Sequence, residues 1–479
     1  MVEIQPALVP MDRGAGDLEG QLYRGLRSRI LGGALAAGAG LPSTRNLAIS
    51  LGLARSTVVS AYERLKAEGY LETAAGRASR VAAIAPPRVG TMPARKRVSG
   101  DAEARAVVLP LAPGVPDLAS FPSVVWGRLL AARARRMPVT DLGYGAPLGL
   151  PDLRAAILAH IAVSRGVVAE PDQLILFPST RAAIALLAQV ALRGAAPGTA
   201  HAWIEEPGYT SAQQILRDAG VSLVPIPVDE NGMDVERASS RFPPRLIYVT
   251  PSHQYPTGAT LSLARRLQLL DAARRAGALI LEDDYDSEFQ FDGRPIAALQ
   301  GIDQAGVVAY IGTLSKVLAP GVRLAYAVLP PRLLPAAQQG VQRQGMAVPI
   351  HIQAAFLDFL REGHFRAHIR RMTPLYAARM AAFREAVLAT CRPHLWPGSG
   401  AGGLQLALWF RDESTDDRLV AAVLRKAGYG AQPLSGMHLG ETRSGLLCGI
   451  AGLPPERAAA AAAAIARAMP QARLISARP

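Results

Sequence analysis

A chain of 479 residues is longer than one ordinary domain and has room for two or three. Half of it is hydrophobic, yet alanine and other small residues supply much of that share, and neither a signal peptide nor a membrane span is expected after the opening MVEIQPALVPMDR. The two cysteines, Cys391 and Cys448, argue against a disulfide scaffold and fit a reducing cytoplasm, while the net charge of +14 raises the question of a polyanionic partner.

That charge is unevenly placed. Residues 20–100 hold 13 arginines and lysines against 3 acidic residues, so the excess sits ahead of a less charged body. This predicts a polyanion partner for the first part only. An arginine-rich composition throughout would give a similar total without any partner, so composition alone leaves both readings open.

The first piece runs from 16 to 84. Leu18, Leu22, Leu26, Ile30 and Leu31 recur at helical spacing, and the glycine-rich GGALAAGAG ends that helix. Ser43 then caps a short helix, TRNLAISLG, which stops at Gly52. A third helix follows in LARSTVVSAYERLKAEGY, with Val58, Ala61, Tyr62 and Leu65 as its buried stripe. The segment YLETAAGRASRVAAI reads as two short strands around a turn at Ala75-Gly76.

Three helices followed by a basic hairpin fit a winged helix-turn-helix, though by pattern alone an ordinary helical domain with solvated arginines would read the same. The third helix places Arg55, Ser56 and Thr57 at its N-terminal end, where side chains can reach base edges in a major groove. Arg77 and Arg80 on the hairpin are placed to meet backbone phosphate or the minor groove, and Arg45 lies where the second helix approaches the duplex. The run LPSTRNLAISLGLARSTVVSAYERLKAEGYL resembles the GntR family of bacterial winged-helix regulators along its whole length. It carries that family's LPS-x-R, its R-[ST]-T-V-x-x-A-Y and its L-x-x-E-G-Y. The departure is Ala54, where many relatives have a serine; this is expected to alter one helix-cap contact and not the fold.

Residues 85–108 contain prolines, glycines and clustered charge without a period, and are expected to form a linker. Arg95, Lys96 and Arg97 there can add nonspecific attraction to phosphate. The piece from 109 to 479 alternates strands and helices. Candidate strands are 174–177, 202–206, 222–226, 245–250, 278–283, 307–312 and 324–329, the signature of a doubly wound α/β domain. From about 370 the pattern changes to long helices with strands at 404–410 and 446–452, which suggests a small α+β subdomain.

Four segments lie near the carboxyl ends of predicted strands, where this architecture binds ligands. GTLSK (312–316) offers a lysine able to form an imine with an aldehyde, and Arg323 follows seven residues later as a cation for phosphate. EDDYDSEF (282–289) offers an aspartate for a protonated pyridine nitrogen and, two residues on, a phenol for a ring oxygen. Acidic clusters of this kind also bind magnesium, but no phosphate-binding glycine motif of an ATPase accompanies this one. TPSHQYPTG (250–258) is a turn-rich crossing, and PST (178–180) precedes a helix whose N-terminus can cradle a phosphate.

In this order the segments resemble fold-type I pyridoxal-phosphate enzymes, and more closely the MocR/GabR subfamily of GntR regulators. In that subfamily an aminotransferase-like domain is the effector sensor. The resemblance covers nearly the whole chain, including LGYGAPLGLPDLR and IEEPGY. It implies pyridoxal 5′-phosphate as cofactor, Lys316 as the internal aldimine lysine and Asp283 as the partner of the pyridine nitrogen. It further implies Tyr285 as donor to the ring oxygen, Tyr209 beside the ring, and Ser179, Thr180, Ser315 and Arg323 around the phosphate. Tyr255 stands where ordinary aminotransferases carry the asparagine of their NP-[TS]-G turn, a change that favours a sensor over an efficient enzyme.

The subfamily member that senses gamma-aminobutyrate has an arginine two residues after the PGY tyrosine; here Ser211 takes that effector-binding position, so its specificity does not carry over. Arg443, in ETRSG, is the candidate to bind an effector carboxylate. The histidines of HFRAH (364–368) have no acidic or cysteine partner at ligand spacing, and no metal is expected. The expected protein is a multidomain α/β regulator: a winged helix, a doubly wound fold-type I domain and a small α+β subdomain. Its expected partners are operator DNA, a small amino compound or the cofactor itself, and a second copy in a head-to-tail homodimer. An active aminotransferase with an accessory DNA-binding arm is the alternative.

Overall fold

The computed structural model describes residues 9–73, 78–83, 108–143, 145–196, 198–238, 241–291 and 296–476, with side chains described to 470. Arg77, the turn at Ala75-Gly76, nearly all of the expected linker with Arg95, Lys96 and Arg97, and Tyr144 of LGYGAPLGLPDLR lie outside the described residues. The chain divides into two compact units, Met1–Arg105 and Ala106–Pro479.

The first unit contains helices α1 (Leu18–Leu31), α2 (Thr44–Leu51) and α3 (Arg55–Ala67), then strands β1 (Leu71–Glu72) and β2 (Arg80–Val81). Its core joins Leu22, Leu26 and Ile30 of α1 to Leu47 of α2 and to the expected stripe of α3. Val9 belongs to the same core, so the arm ahead of α1 is packed with it. The Tyr23 hydroxyl donates to the Glu68 carboxylate, and the Arg64 guanidinium lies 4.0 Å from the Tyr23 ring, fastening α1 to the end of α3. Ser43 caps α2, its hydroxyl accepting from the Asn46 amide at 3.2 Å, and Gly52 ends that helix at φ +61°, a conformation open to glycine at little cost. The two strands pair antiparallel, Leu71 with Val81 and Glu72 with Arg80.

The second unit begins with α4 (Ser123–Arg135), α5 (Pro151–Arg165), β3 (Leu174–Phe177), α6 (Thr180–Ala191), β4 (His201–Glu206) and α7 (Thr210–Asp218). It continues through β5 (Ser222–Asp229), β6 (Gly232–Met233), β7 (Pro244–Val249), α8 (Leu263–Ala276), β8 (Leu279–Asp284), β9 (Val308–Thr313) and β10 (Ala325–Val328). Strands β3 to β10 form one eight-stranded sheet in the order β3-β10-β9-β8-β7-β4-β5-β6. The five strands from β9 to β5 in that order are parallel, whereas β10 runs antiparallel to both its neighbours. Both faces are covered. Leu279 and Leu281 of β8 pack with α6 residues such as Ala183 and Leu187, and Ile280 packs with Leu269 and Ala273 of α8.

The rest comprises α9 (Leu334–Gln344), α10 (Ile350–Arg361), α11 (His364–Cys391), β11 (Leu395–Pro397), β12 (Gln405–Phe410), α12 (Asp417–Lys426), β13 (Gln432–Pro433), β14 (Gly445–Gly449) and α13 (Ala458–Ser476). Its four strands form an antiparallel sheet, β11-β12-β14-β13, the small α+β subdomain. A strap from early in the unit joins it. Leu111 bridges to Gly449, the Asp117 amide donates to the Tyr376 hydroxyl at 2.9 Å, and Arg379 pairs with the Asp117 carboxylate at 3.0 Å. Among the described residues, no helix is long and apolar enough to cross a membrane.

Ala54 is the N-cap of α3 and offers no side-chain cap, as its departure from serine implies. Ala54→Ser is therefore expected to stabilise the first unit by about 1 kcal/mol. Hydrogen exchange of the first-turn amides of α3 in the full-length protein measures this as slower exchange.

Candidate functional site

The pleat of β8 separates three consecutive acids. Glu282 turns one way and accepts from the Leu299 and Gln300 amides at 2.7 and 2.9 Å; burial raises its carboxyl to about 7. Asp284 faces the same side and accepts from Arg165 Nε at 2.8 Å and the Tyr310 hydroxyl at 2.6 Å. Burial pushes its carboxyl up, but Arg165 and these hydrogen bonds hold it below the ordinary value. Asp283 faces the opposite side. Its Oδ2 accepts from the Tyr248 hydroxyl at 2.7 Å, while its Oδ1 is buried with no partner. Burial raises this carboxyl to about 6, against the lowering pull of Tyr248. The three carboxylates thus do not converge, and the magnesium reading of this cluster fails on geometry. The histidines of HFRAH are also engaged elsewhere: His364 beside Glu362, and His368 Nε2 donating to the Val317 carbonyl.

Asp283 opens into a cavity of about 260 Å³ that Lys316 also lines. Burial lowers the pKa of the Lys316 amine, though Asp286 and Asp283 pull it upward, and Nζ donates to the Gly114 carbonyl. A low-dielectric cavity disfavours both charges. The same cavity is lined by Ser179, Thr180, Tyr209, Tyr255, Tyr285, Ser315 and Arg323, so all the cofactor residues expected from sequence meet there. Ser179 is the N-cap of α6, its hydroxyl accepting from the Ala182 amide at 3.2 Å, which points the start of that helix at the cavity. Arg323 holds a left-handed backbone, φ +54°, that non-glycine residues adopt at a cost. The Tyr255 ring stands 5.4 Å from that of Tyr209 and 6.0 Å from that of Tyr285, edge-on to both.

Two expected effector residues are not brought into this cavity. Ser211 lies in the first turn of α7 and is not among its lining. Arg443 sits between the indoles of Trp396 and Trp409, at 4.7 and 5.0 Å, and lines a separate cleft of about 1280 Å³ with Glu206 and His438. Sequence reading also missed residues that do line the Lys316 cavity: Gly114, Arg181, Tyr248, Thr250, Thr313, Pro320 and Gln405. A lone glutamine opening the apolar run LQLALWF was the one visible signal for Gln405.

In the first unit Arg45, Arg55 and Ser56 are exposed, and Thr57 is half-buried in the first turn of α3. Arg80 is exposed too, but it donates to the Gly38 carbonyl at 2.9 Å, so part of its guanidinium ties β2 to the preceding loop.

Comparison with known proteins follows this division. The family described as aminotransferase class I and II matches residues 108–465, and that of bacterial regulatory proteins, gntR family, matches 18–81. Together with the site, these define a DNA-binding transcription regulator built on a pyridoxal-phosphate domain. The chain is 38% identical to the probable rhizopine catabolism regulatory protein MocR of Rhizobium meliloti, over 94% of this chain and 91% of that protein. It is 33% identical to the pyridoxine biosynthesis transcriptional regulator PdxR of Corynebacterium glutamicum, over 87% of each. Among solved structures, the α-aminoadipate aminotransferase LysN of Thermus thermophilus shares the fold, with TM-score 0.70 and 24% identity over 77% of this chain and 93% of that one. The chain belongs to the MocR-type branch of the gntR family.

The cofactor of that branch is pyridoxal 5′-phosphate, and the cavity fits it. The unpartnered Asp283 Oδ1 matches a protonated ring nitrogen, the Lys316 amine an aldehyde, and the start of α6 with Arg323 a phosphate. Burial leaves the Asp283 carboxyl above its unfolded value, so the folded state holds a proton there between about pH 4 and 6 and must bear a buried charge above that. In cofactor-free protein, Asp283→Asn is therefore expected to raise stability above pH 6 by on the order of 2–3 kcal/mol, a gain that vanishes as pH falls toward 4. Urea unfolding of both proteins across that range measures it. With cofactor present, the same variant is expected to retain it more weakly.

Proposed function

We propose that this regulator senses a small amino compound, or pyridoxal phosphate itself, at Lys316 and converts that event into altered operator affinity. The observation that carries the reading is the joint presence in one small cavity of a buried lysine amine with a lowered pKa and a carboxylate oxygen without a partner. When bound, the cofactor supplies an electrophilic carbon at which one amine can replace another. Lys316 contributes the resident amine, and Asp283 holds the ring-nitrogen proton. The Tyr285 hydroxyl would donate to the ring oxygen, Tyr209 and Tyr255 would wall the ring, and Ser179, Thr180, Ser315 and Arg323 would hold the phosphate. A Lys316 amine not engaged with the cofactor would take other partners in the cavity, and a ligand with different affinities for two arrangements shifts their populations.

On the DNA side, Arg55 reads or clamps the operator with Ser56 and Thr57, while Arg77 and Arg80 meet phosphate or the minor groove and Arg45 lies where the second helix approaches the duplex. A head-to-tail homodimer in the cytoplasm would present two such readers to repeated half-sites. A second reading, slow transamination, draws on the same lowered Lys316 pKa, which suits a general base. A steady-state assay across an amino-acid panel tests it.

Borohydride reduction of the purified protein followed by peptide mapping is expected to place a pyridoxyl group on Lys316, and Lys316→Ala to abolish that adduct. A label on another lysine refutes the assignment. Arg55→Ala is expected to weaken binding to a duplex selected by the full-length protein by roughly 1–3 kcal/mol, with the cofactor spectrum unchanged. If Arg55 reads a base, a scrambled duplex loses much less. If it holds phosphate, both duplexes lose affinity and the salt slope becomes shallower. Unchanged affinity for both removes Arg55 from the interface.

A further inference from the structure

We infer that Gln405 is the specificity residue of the Lys316 cavity, and that the ligands it favours are amines carrying a second hydrogen-bond donor such as a hydroxyl. This rests on the proposal that the cavity takes an amino compound. Gln405 opens β12, is 8% exposed, and is contributed by the small subdomain, whereas Asp283, Tyr285 and Lys316 come from the large one. Its Nε2 donates to the Tyr285 hydroxyl at 3.2 Å, and its Oε1 is buried with no partner.

Two side-chain atoms of residues lining this cavity are therefore buried and unpartnered among the described residues, Asp283 Oδ1 and Gln405 Oε1. Leaving such atoms unmatched is costly, so each calls for a partner from outside the chain. The ring nitrogen satisfies the first. The phosphate is matched to Ser179, Thr180, Ser315 and Arg323 and the ring oxygen to Tyr285, which leaves nothing of the cofactor for the second.

The orientation of the amide follows from the phenol. A tyrosine hydroxyl has one hydrogen. If Tyr285 gives that hydrogen to the ring oxygen, it can only accept from Gln405, so the NH₂ end faces the phenol and the oxygen faces away from it. An amide oxygen accepts and cannot donate. It welcomes a hydroxyl, an ammonium or an N–H, and it repels a carboxylate. The arginine that sequence suggested for a carboxylate, Arg443, is held between two indoles at another cleft. A ligand donor at Gln405 would also join β12 to the large subdomain through the bound amine, a link that the cofactor alone does not make.

The test uses the full-length protein with its cofactor. 2-Aminoethanol, 3-aminopropan-1-ol and 4-aminobutan-1-ol are titrated beside propylamine, butylamine and pentylamine, following cofactor absorbance. At least one amino alcohol is expected to bind about tenfold more tightly than its alkyl match, the effect of one hydrogen bond. Gln405→Leu is expected to bring that ratio close to one, whatever it does to the affinity for both amines of a pair. If that variant loses cofactor, the isosteric Gln405→Met carries the same expectation. Gln405→Glu should keep the preference, since a carboxylate also accepts, but draw the Tyr285 hydrogen to itself and move the pH midpoint of the cofactor absorbance. Amines that bind without any preference for the hydroxyl, or a preference that survives in both Gln405→Leu and Gln405→Met, overturn this inference alone. No absorbance response to any amine overturns the sensing proposal and this inference with it.

Discussion

Arg165 and Asp284 meet in the core with side chains 2% and 1% exposed, and the orientation of β8 depends on their meeting. The guanidinium also donates to Ser252 Oγ and to the Ile296 carbonyl, so the pair is tied to the loop after β7 and to the segment after β8. Either charge alone at that depth would be strongly destabilising, whereas together, with their hydrogen bonds satisfied, they are tolerated. Because side chains alternate along a strand, placing Asp284 against Arg165 compels Asp283 to the other face. A slip of one residue would bury Asp283 under α8 and present Asp284 to the cavity. A polar contact remote from the chemistry thereby determines which acid can take part in it.

The cavity beside Asp283 is built from compromises of the same kind. Burial raises the Asp283 carboxyl and lowers the Lys316 amine, so the surroundings favour neither charge. Arg323 carries an unfavourable backbone angle at its rim. Unpartnered atoms, disfavoured charges and a left-handed residue gathered around one small space mark a binding site preorganised at the expense of stability. The surrounding sheet supplies the compensation: β8 and β9 are buried along their entire length, with apolar layers on either side.

Much of this was legible in the sequence because it is local. Apolar runs marked four of the five parallel strands to within a residue, while β5 runs three residues past its expected end, and the stripe of α3 appeared at helical spacing. The motifs after those strands converge because a parallel sheet brings all its carboxyl ends to one edge. The reversal of β10 was not legible, since a short apolar run carries no direction. Gly114 was missed because its strap reaches Lys316 across 202 positions of sequence. The cavity that Arg443 lines was not legible for a related reason: a cation near a strand can serve whichever cavity its neighbours leave open, and here Trp396 and Trp409 hold it at the larger cleft. Tyr248, inside an apolar strand, reads as core until the unpaired oxygen of Asp283 is seen beside it.

The indole pair around Arg443 has a practical bearing on how the protein can be watched. The chain has four tryptophans: Trp126, Trp203, Trp396 and Trp409. All belong to the second unit, and two of them form the sandwich in the small subdomain. The first unit contains tyrosines but no tryptophan. Indole emission is therefore a native label for the ligand-binding unit, and half of its emitters lie in contact with a guanidinium at the mouth of one cleft. Changes in the second unit can be followed by indole emission without attaching a dye to it.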